Sequence, residues 1–161
     1  MRKLFFVAGL LAAPAPSATP AEVKPKTATP QEDQRSIRLK QFFTDYKCPL
    51  GNFAADFVIA ADRNDLDWRL LPGISMVESG GGRDYRNNNV FGWDSCRLRF
   101  PSVRAGIHIV ASKLGGSRLY KDKDVDKILK TYNPRPDYAG KVKSWMRMIG
   151  SRGFTNAMSL N

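Results

Sequence analysis

The sequence predicts a mainly α domain. Apolar residues recur at helical spacing in successive segments from Gln34 onward, and glycine, proline and capping residues punctuate those segments. Only one short piece, "CRLRF" from Cys96 to Phe100, alternates as a strand would, and it is expected as a strand or an extended edge. No repeat is present. With 161 residues, 42% hydrophobic and 25% charged, the chain has the composition of one globular domain with its own core.

Residues 1–21 stand apart. Arg2 and Lys3 precede the apolar run "LFFVAGLLAA", and "PAPSATPA" follows it. A positive start, a short apolar centre and small residues at the exit describe a secretory signal peptide, too short to span a bilayer comfortably. Residues 22–33, "EVKPKTATPQED", carry no apolar periodicity and are expected as a flexible linker. The domain is expected over residues 34–153, with a tail at 154–161.

Within the domain, Leu39, Phe42, Phe43 and Tyr46 make the first helical stripe. Asn52 is expected to cap a second helix bearing Phe53, Phe57 and Ala60. A third opens near Asp67 and carries Leu70, Leu71, Ile74 and Val77, with Pro72 tolerated in its first turn. Gly80, Gly81 and Gly82 stop it, and a long irregular stretch follows to Pro101. Ser102 caps a helix aligned on Val103, Ile107, Val110 and Leu114, ended by Gly115 and Gly116. Val125, Ile128, Leu129 and Tyr132 form the next stripe, and Asp137 caps the last, with Tyr138, Val142, Trp145 and Ile149 in register.

Export frames the two cysteines. Cys48 and Cys96 in an oxidising compartment are expected to pair, closing a loop that contributes roughly 4 kcal/mol in the chain-entropy picture; the alternative is two buried thiols. Neither has metal-site spacing, and a single histidine argues against a zinc centre. No cofactor is implied. The formal charge of +11 points to a polyanionic partner: nucleic acid, anionic lipid or a bacterial wall, of which the wall suits an exported protein.

The chemistry concentrates at Glu78. It falls in the last turn of the third helix, four residues after Ile74, where unpaired carbonyls and the negative end of the helix dipole disfavour a carboxylate. Partial burial acts in the same direction, so a raised pKa and a proton-donor role are expected; position alone equally allows a surface glutamate whose side chain reaches water. The glycines turn the chain away. Arg86, Asn87, Asn88 and Asn89 then supply polar groups, and Phe91, Gly92 and Trp93 supply flat apolar faces and a close backbone. Amides beside aromatic faces suit a sugar; a turn-forming loop with two core plugs is the competing reading. Tyr132 and Tyr138 lie on apolar stripes, as core residues or as phenols reaching a cleft. His108 reads as structural, and no triad assembles around Ser75 or Ser79.

"LLPGISMVESGGG" followed by "NNNVFGW" resembles the lysozyme-like superfamily, near the lytic transglycosylases and the endo-β-N-acetylglucosaminidase-like peptidoglycan hydrolases. There a helix ends in a catalytic glutamate followed by Ser, as in Glu78-Ser79, and an Asn-Asn-x-Phe-Gly element matches Asn88, Asn89, Phe91 and Gly92. "TYNPRPDYAGKV" is similar to the family's Tyr-Asn segment and later Tyr, matched by Tyr132-Asn133 and Tyr138. The likeness spans roughly residues 67–149. It implies a lysozyme-like helical domain with a long irregular loop and at most a small β element beside the cleft. It implies Glu78 as catalytic acid and base, with Ser79, Asn88, Asn89, Phe91, Gly92, Trp93, Tyr132 and Tyr138 around the substrate. The partner implied is a peptidoglycan glycan strand, met by an exported monomer that has no membrane span once mature and binds no nucleic acid. The family's Gly-Leu-Met-Gln element is absent, which leaves hydrolysis and transglycosylation both open.

Glycosidases ordinarily use two carboxylates. Asp84 and Asp94 are the nearest candidates for a second, each also readable as a solvated loop acid. Without one, the 2-acetamido oxygen of the substrate can serve as nucleophile. Two readings compete with the enzyme: a catalytically silent peptidoglycan-binding or envelope-scaffold module, and a basic nucleic-acid-binding domain, which fits poorly with an export leader.

Overall fold

The computed structural model describes residues 33–151, and the signal peptide, most of the linker and the C-terminal tail expected from the sequence lie outside them. Six α-helices follow one another: α1 Gln34–Asp45, α2 Ala54–Asp62, α3 Leu70–Ser79, α4 Val103–Gly116, α5 Val125–Tyr132 and α6 Tyr138–Ser151. Short 3₁₀ helices occupy Pro49–Phe53 and Trp93–Cys96. Among the described residues no helix is long and apolar enough to cross a membrane.

Asp33, the last residue of the expected linker, caps α1 by accepting from the Arg35 amide at 2.8 Å. The Arg35 guanidinium also reaches Asp62 at the end of α2, at 2.7 Å. On the inner face of α1, Leu39, Phe42 and Phe43 are fully buried. Asn52 does not cap α2. The 3₁₀ helix runs straight into it, Phe53 takes the cap position without a side-chain bond, and the Ala54 amide is held by the Gly51 carbonyl.

α3 is the central helix. Seven successive residues, Leu70 to Met76, are buried, so it is apolar all round rather than along one stripe. It opens at Leu70, three residues later than Asp67, whose carboxylate and carbonyl hold the Arg69 and Leu70 amides. Pro72 falls in the first turn, where a missing N–H costs nothing. α6 packs closely along α3 at Gly73, where a β-carbon would stand 3.0 Å from Met146 and 3.2 Å from Val142. Beyond Ser79 the chain turns through Gly80 and Gly81 in left-handed conformation. Gly81 has a second constraint, since a β-carbon there would lie 2.5 Å from Cys48 Sγ.

Cys48 and Cys96 are free, so the disulfide expected between them is not formed in this structure. Different neighbours hold the two thiols. Cys48 is buried under the glycine turn, with Sγ 3.4 Å from the Gly80 carbonyl and 3.8 Å from Met76 Sδ. Burial pushes its thiol pKa up. Cys96 closes the second 3₁₀ helix, where its carbonyl accepts from Asn87 Nδ2 at 2.9 Å.

The "CRLRF" segment is not a strand. Its first residue, Cys96, is left-handed at φ 59° and its second, Arg97, is right-handed helical at φ −72° and ψ −34°, values that a strand does not accept. An isolated bridge between Arg86 and Asn89 is the only β pairing among the described residues. Ser102 caps α4 as expected, accepting from the Ala105 amide at 3.1 Å. Gly115 and Gly116 lie inside the end of that helix rather than beyond it. Gly115 is there for space, because its β-carbon would meet the Asn64 carbonyl at 2.3 Å. Asp124 caps α5, and the Asp137 carbonyl accepts from Lys141 in the first turn of α6.

The α3–α6 contact yields a first expectation. Gly73→Val inserts three carbons where one already crowds α6, and should lower unfolding free energy by about 2–3 kcal/mol. A urea midpoint that does not move would show that α6 yields instead.

Candidate active site

Two anchors fix the end of α3. The Ser79 hydroxyl is buried and donates toward the Val90 carbonyl at 2.8 Å, with the Ser75 carbonyl at 3.0 Å, while accepting from the Gly82 amide. This ties the helix terminus to the returning loop. Gly92 then meets Glu78 directly: a β-carbon on Gly92 would stand 2.4 Å from Glu78 Oε2. With φ at 62°, Gly92 also has a backbone that other residues rarely adopt.

The asparagines serve the loop. Asn89 is 1% exposed; its Nδ2 donates to the Trp93 carbonyl at 2.8 Å and its Oδ1 accepts from the Trp93 amide at 3.0 Å. It clamps the turn that carries Gly92. Asn88 donates to the Phe100 carbonyl at 2.9 Å, and Phe91 is buried edge-on to Phe57. Ser79, Asn89 and Phe91, expected around a substrate, therefore have their side chains committed inside the fold, while Asn88 is half-buried and spends its Nδ2 on the loop, outside the cleft lining.

Gly92, Trp93 and Tyr132 do face a cleft, of about 760 Å³, with Glu78 in its lining. Tyr132 is positioned by donating to the Phe91 carbonyl at 2.5 Å. Its ring lies 5.7 Å from Trp93 and stacks on Tyr138 at 6.0 Å with 7° between planes. Trp93 in turn packs against Tyr120 at 6.0 Å. These rings form one aromatic wall beside the acid. Tyr138 is 4% exposed and lines a smaller adjoining pocket, also with Glu78.

Tyr120, Asn133 and Lys113 line the cleft too; of these the sequence marks only Asn133, as the partner of Tyr132 in the Tyr-Asn pair. Tyr120 follows the Gly115-Gly116 stop without periodicity, and Lys113 reads as a solvated helix residue. Asn133 alone left a signal, as the residue that ends α5 beside Tyr132.

Of the two candidate second acids, Asp94 reaches the cleft lining and Asp84 does not. Asp94 is engaged by Arg97 at 2.5 Å on an exposed turn. His108 sits 3.6 Å from Asp56, which also receives Arg104, and takes no part in the cleft lining. Among the described residues no three His, Cys, Asp or Glu side chains converge as a metal site.

Burial raises the Glu78 pKa above its ordinary 4.5, and the Tyr138 hydroxyl, close enough to donate toward the carboxylate, opposes that rise. The Tyr138 hydroxyl is buried and makes no hydrogen bond of good geometry. Burial pushes both Tyr132 and Tyr138 upward, and the Glu78 charge adds to it, so both phenols stay neutral donors. The arrangement can hold a proton on a half-buried carboxyl and deliver it to an oxygen lying against an aromatic wall.

Two measurements follow from these shifts. A raised folded-state pKa gives stability that is full below about pH 4.5 and lost as pH rises through the folded value. Glu78→Gln cannot ionise, so its melting temperature should gain on the wild type between about pH 4 and pH 7; a constant difference would contradict the buried acid. Tyr138→Phe removes the opposing hydroxyl and should raise the Glu78 pKa further in an NMR titration.

No protein-family model matches the chain and no curated protein matches it, so the functional reading rests on the geometry of this cleft.

Proposed function

We propose that the chain is an exported peptidoglycan-cleaving glycosidase, of lytic transglycosylase or N-acetylglucosaminidase/muramidase type, in which Glu78 is general acid and then base. The observation that carries this reading is a half-buried carboxyl of raised pKa set between a glycine backbone and a row of aromatic rings. Aromatic faces take the apolar C–H surface of a pyranose, and Asn133 and the tyrosine hydroxyls offer polar contacts to its substituents.

Glu78 gives its proton to the bridging oxygen of a β-1,4 link between N-acetylated sugars as the C1–O bond breaks. Asp94, exposed and paired with Arg97, is poorly placed to serve as nucleophile. The 2-acetamido oxygen of the substrate takes that part, closing a ring on C1. The Glu78 carboxylate then removes a proton from a second oxygen as it attacks C1, and the C1 bond to the acetamido oxygen breaks, reopening the ring. Water in that role gives hydrolysis; the sugar's own 6-hydroxyl gives a 1,6-anhydro product. A basic protein, +11 in formal charge, is drawn to a wall rich in carboxylates and phosphates.

Digestion of purified sacculi tests the reading. Wild type should release soluble fragments whose masses distinguish anhydro from reducing ends, and Glu78→Gln, still folded, should lose roughly 100-fold or more of that activity. A Glu78→Gln protein as active as wild type would sink the mechanism. Binding to sacculi without fragment release would identify a peptidoglycan-binding module instead.

A further inference from the structure

Among the described residues the most exposed large apolar side chain is Leu119, at 58%, and Leu98 is exposed at 42%. Each stands among cations: Arg97 and Arg99 flank Leu98, and Arg118 and Lys121 lie on either side of Leu119. The same Arg-Leu pair buries its leucine completely at Leu39 and Leu70, so exposure at Leu98 and Leu119 comes from the fold and not from the dipeptide.

Both segments are fixed turns. The Asn89 carboxamide donates to the Leu98 carbonyl at 3.3 Å, and Asn88 holds the Phe100 carbonyl at 2.9 Å. After α4, the Ser117 carbonyl accepts from the Tyr120 and Lys121 amides at 2.9 and 2.8 Å. The two turns border one opening. Leu98 and Tyr120 both line the main cleft, and Tyr120 packs against Trp93 of the loop that carries Leu98.

The charge of this rim is open to a partner. Residues 94–99 and 118–123 hold five cations and two acids. Asp94 engages Arg97, but Arg99, Arg118 and Lys121 make no side-chain hydrogen bond or ion pair among the described residues. A guanidinium fork matches the oxygens of a phosphate, and an exposed leucine gains only by entering an apolar phase. A soluble polyanion answers the first need and leaves both leucines in water. The surface of an anionic bilayer answers both, with phosphates at the depth of the cations and acyl chains just beneath.

We propose that this rim is a docking surface for an anionic phospholipid bilayer, with Leu98 and Leu119 entering the headgroup boundary and Arg97, Arg99, Arg118 and Lys121 on lipid phosphates. Such docking holds the mouth of the cleft at the bilayer surface. It requires no turnover, so it stands or falls separately from the glycosidase reading.

Hydrogen exchange read by mass spectrometry on the full chain locates the contact. Vesicles of phosphatidylglycerol mixed with phosphatidylcholine should slow exchange in peptides covering residues 96–100 and 117–122, and vesicles of phosphatidylcholine alone should not. Binding through the apolar run at residues 4–13 leaves these peptides unprotected, which overturns the docking surface. In a vesicle titration, Arg99→Gln/Arg118→Gln should raise the lipid concentration for half protection about fivefold per charge removed. Leu98→Ser/Leu119→Ser should raise it on the order of tenfold. All four positions are exposed, so both variants should keep the wild-type far-UV spectrum. Protection that survives both variants overturns the proposal. Protection lost with the arginines but not with the leucines, or given as fully by inorganic polyphosphate, assigns the rim to a soluble phosphate polymer and sinks the lipid assignment.

Discussion

The backbone of Gly92 presses so closely on the Glu78 carboxyl that there is no room for a side chain between them. This contact sets the acid's environment. One face of the carboxyl is shut off from water by main chain, another is next to the Tyr138 ring system, and what remains opens into the cleft. It also explains the glycine in the aromatic segment. Its left-handed φ allows the turn, and its missing β-carbon allows the approach.

Maintaining that contact requires an unusual stretch of chain. Asn87, Asn88, Asp94, Ser95 and Cys96 all have positive φ, and left-handed non-glycine residues each cost about 1–2 kcal/mol. Such a stretch persists only when its surroundings over-determine it. Here the asparagine carboxamides do so: Asn87 holds the Cys96 carbonyl, Asn88 the Phe100 carbonyl, and Asn89 both sides of the Trp93 peptide. Phe91 and Phe100 anchor the same loop in the core. The loop therefore works as a rigid wall built from polar clamps and apolar plugs.

The aromatic wall extends this rigidity into the cleft. Tyr132 ties α5 to the loop through its hydroxyl, and its ring sits between Trp93 and Tyr138. Three segments distant in sequence thus present one surface, and each ring is held by its neighbours rather than by its own helix. Surface ion pairs add little to this framework. Most are exposed, such as Arg97–Asp94 and Lys127–Asp124, where water and salt screen them.

Much of this was legible in the sequence. The helical stripes gave α1, α2 and α4 to α6 their inner faces, because a period of 3.6 leaves its mark on any helix that buries one side. Ser102 announced the start of α4 through local hydrogen bonding that needs no tertiary partner. Glu78 stood out because an acid in a last turn contradicts local electrostatics. What stayed hidden depends on contacts across the chain. Asn88, Asn89, Phe91 and Ser79 have the composition of a sugar site, yet Asn89, Phe91 and Ser79 are buried in the folded loop and Asn88 spends its Nδ2 on the Phe100 carbonyl. Alternation in "CRLRF" suggested a strand, and a left-handed turn imposed from outside overrode it. Tyr120 and Lys113 carry no periodic or motif signal at all. Local sequence marked the helices, the Ser102 cap and the suspect acid, since those follow from neighbours within one turn; which side chains face the cleft was decided only when distant segments packed, because burial and hydrogen-bond partners belong to the fold as a whole.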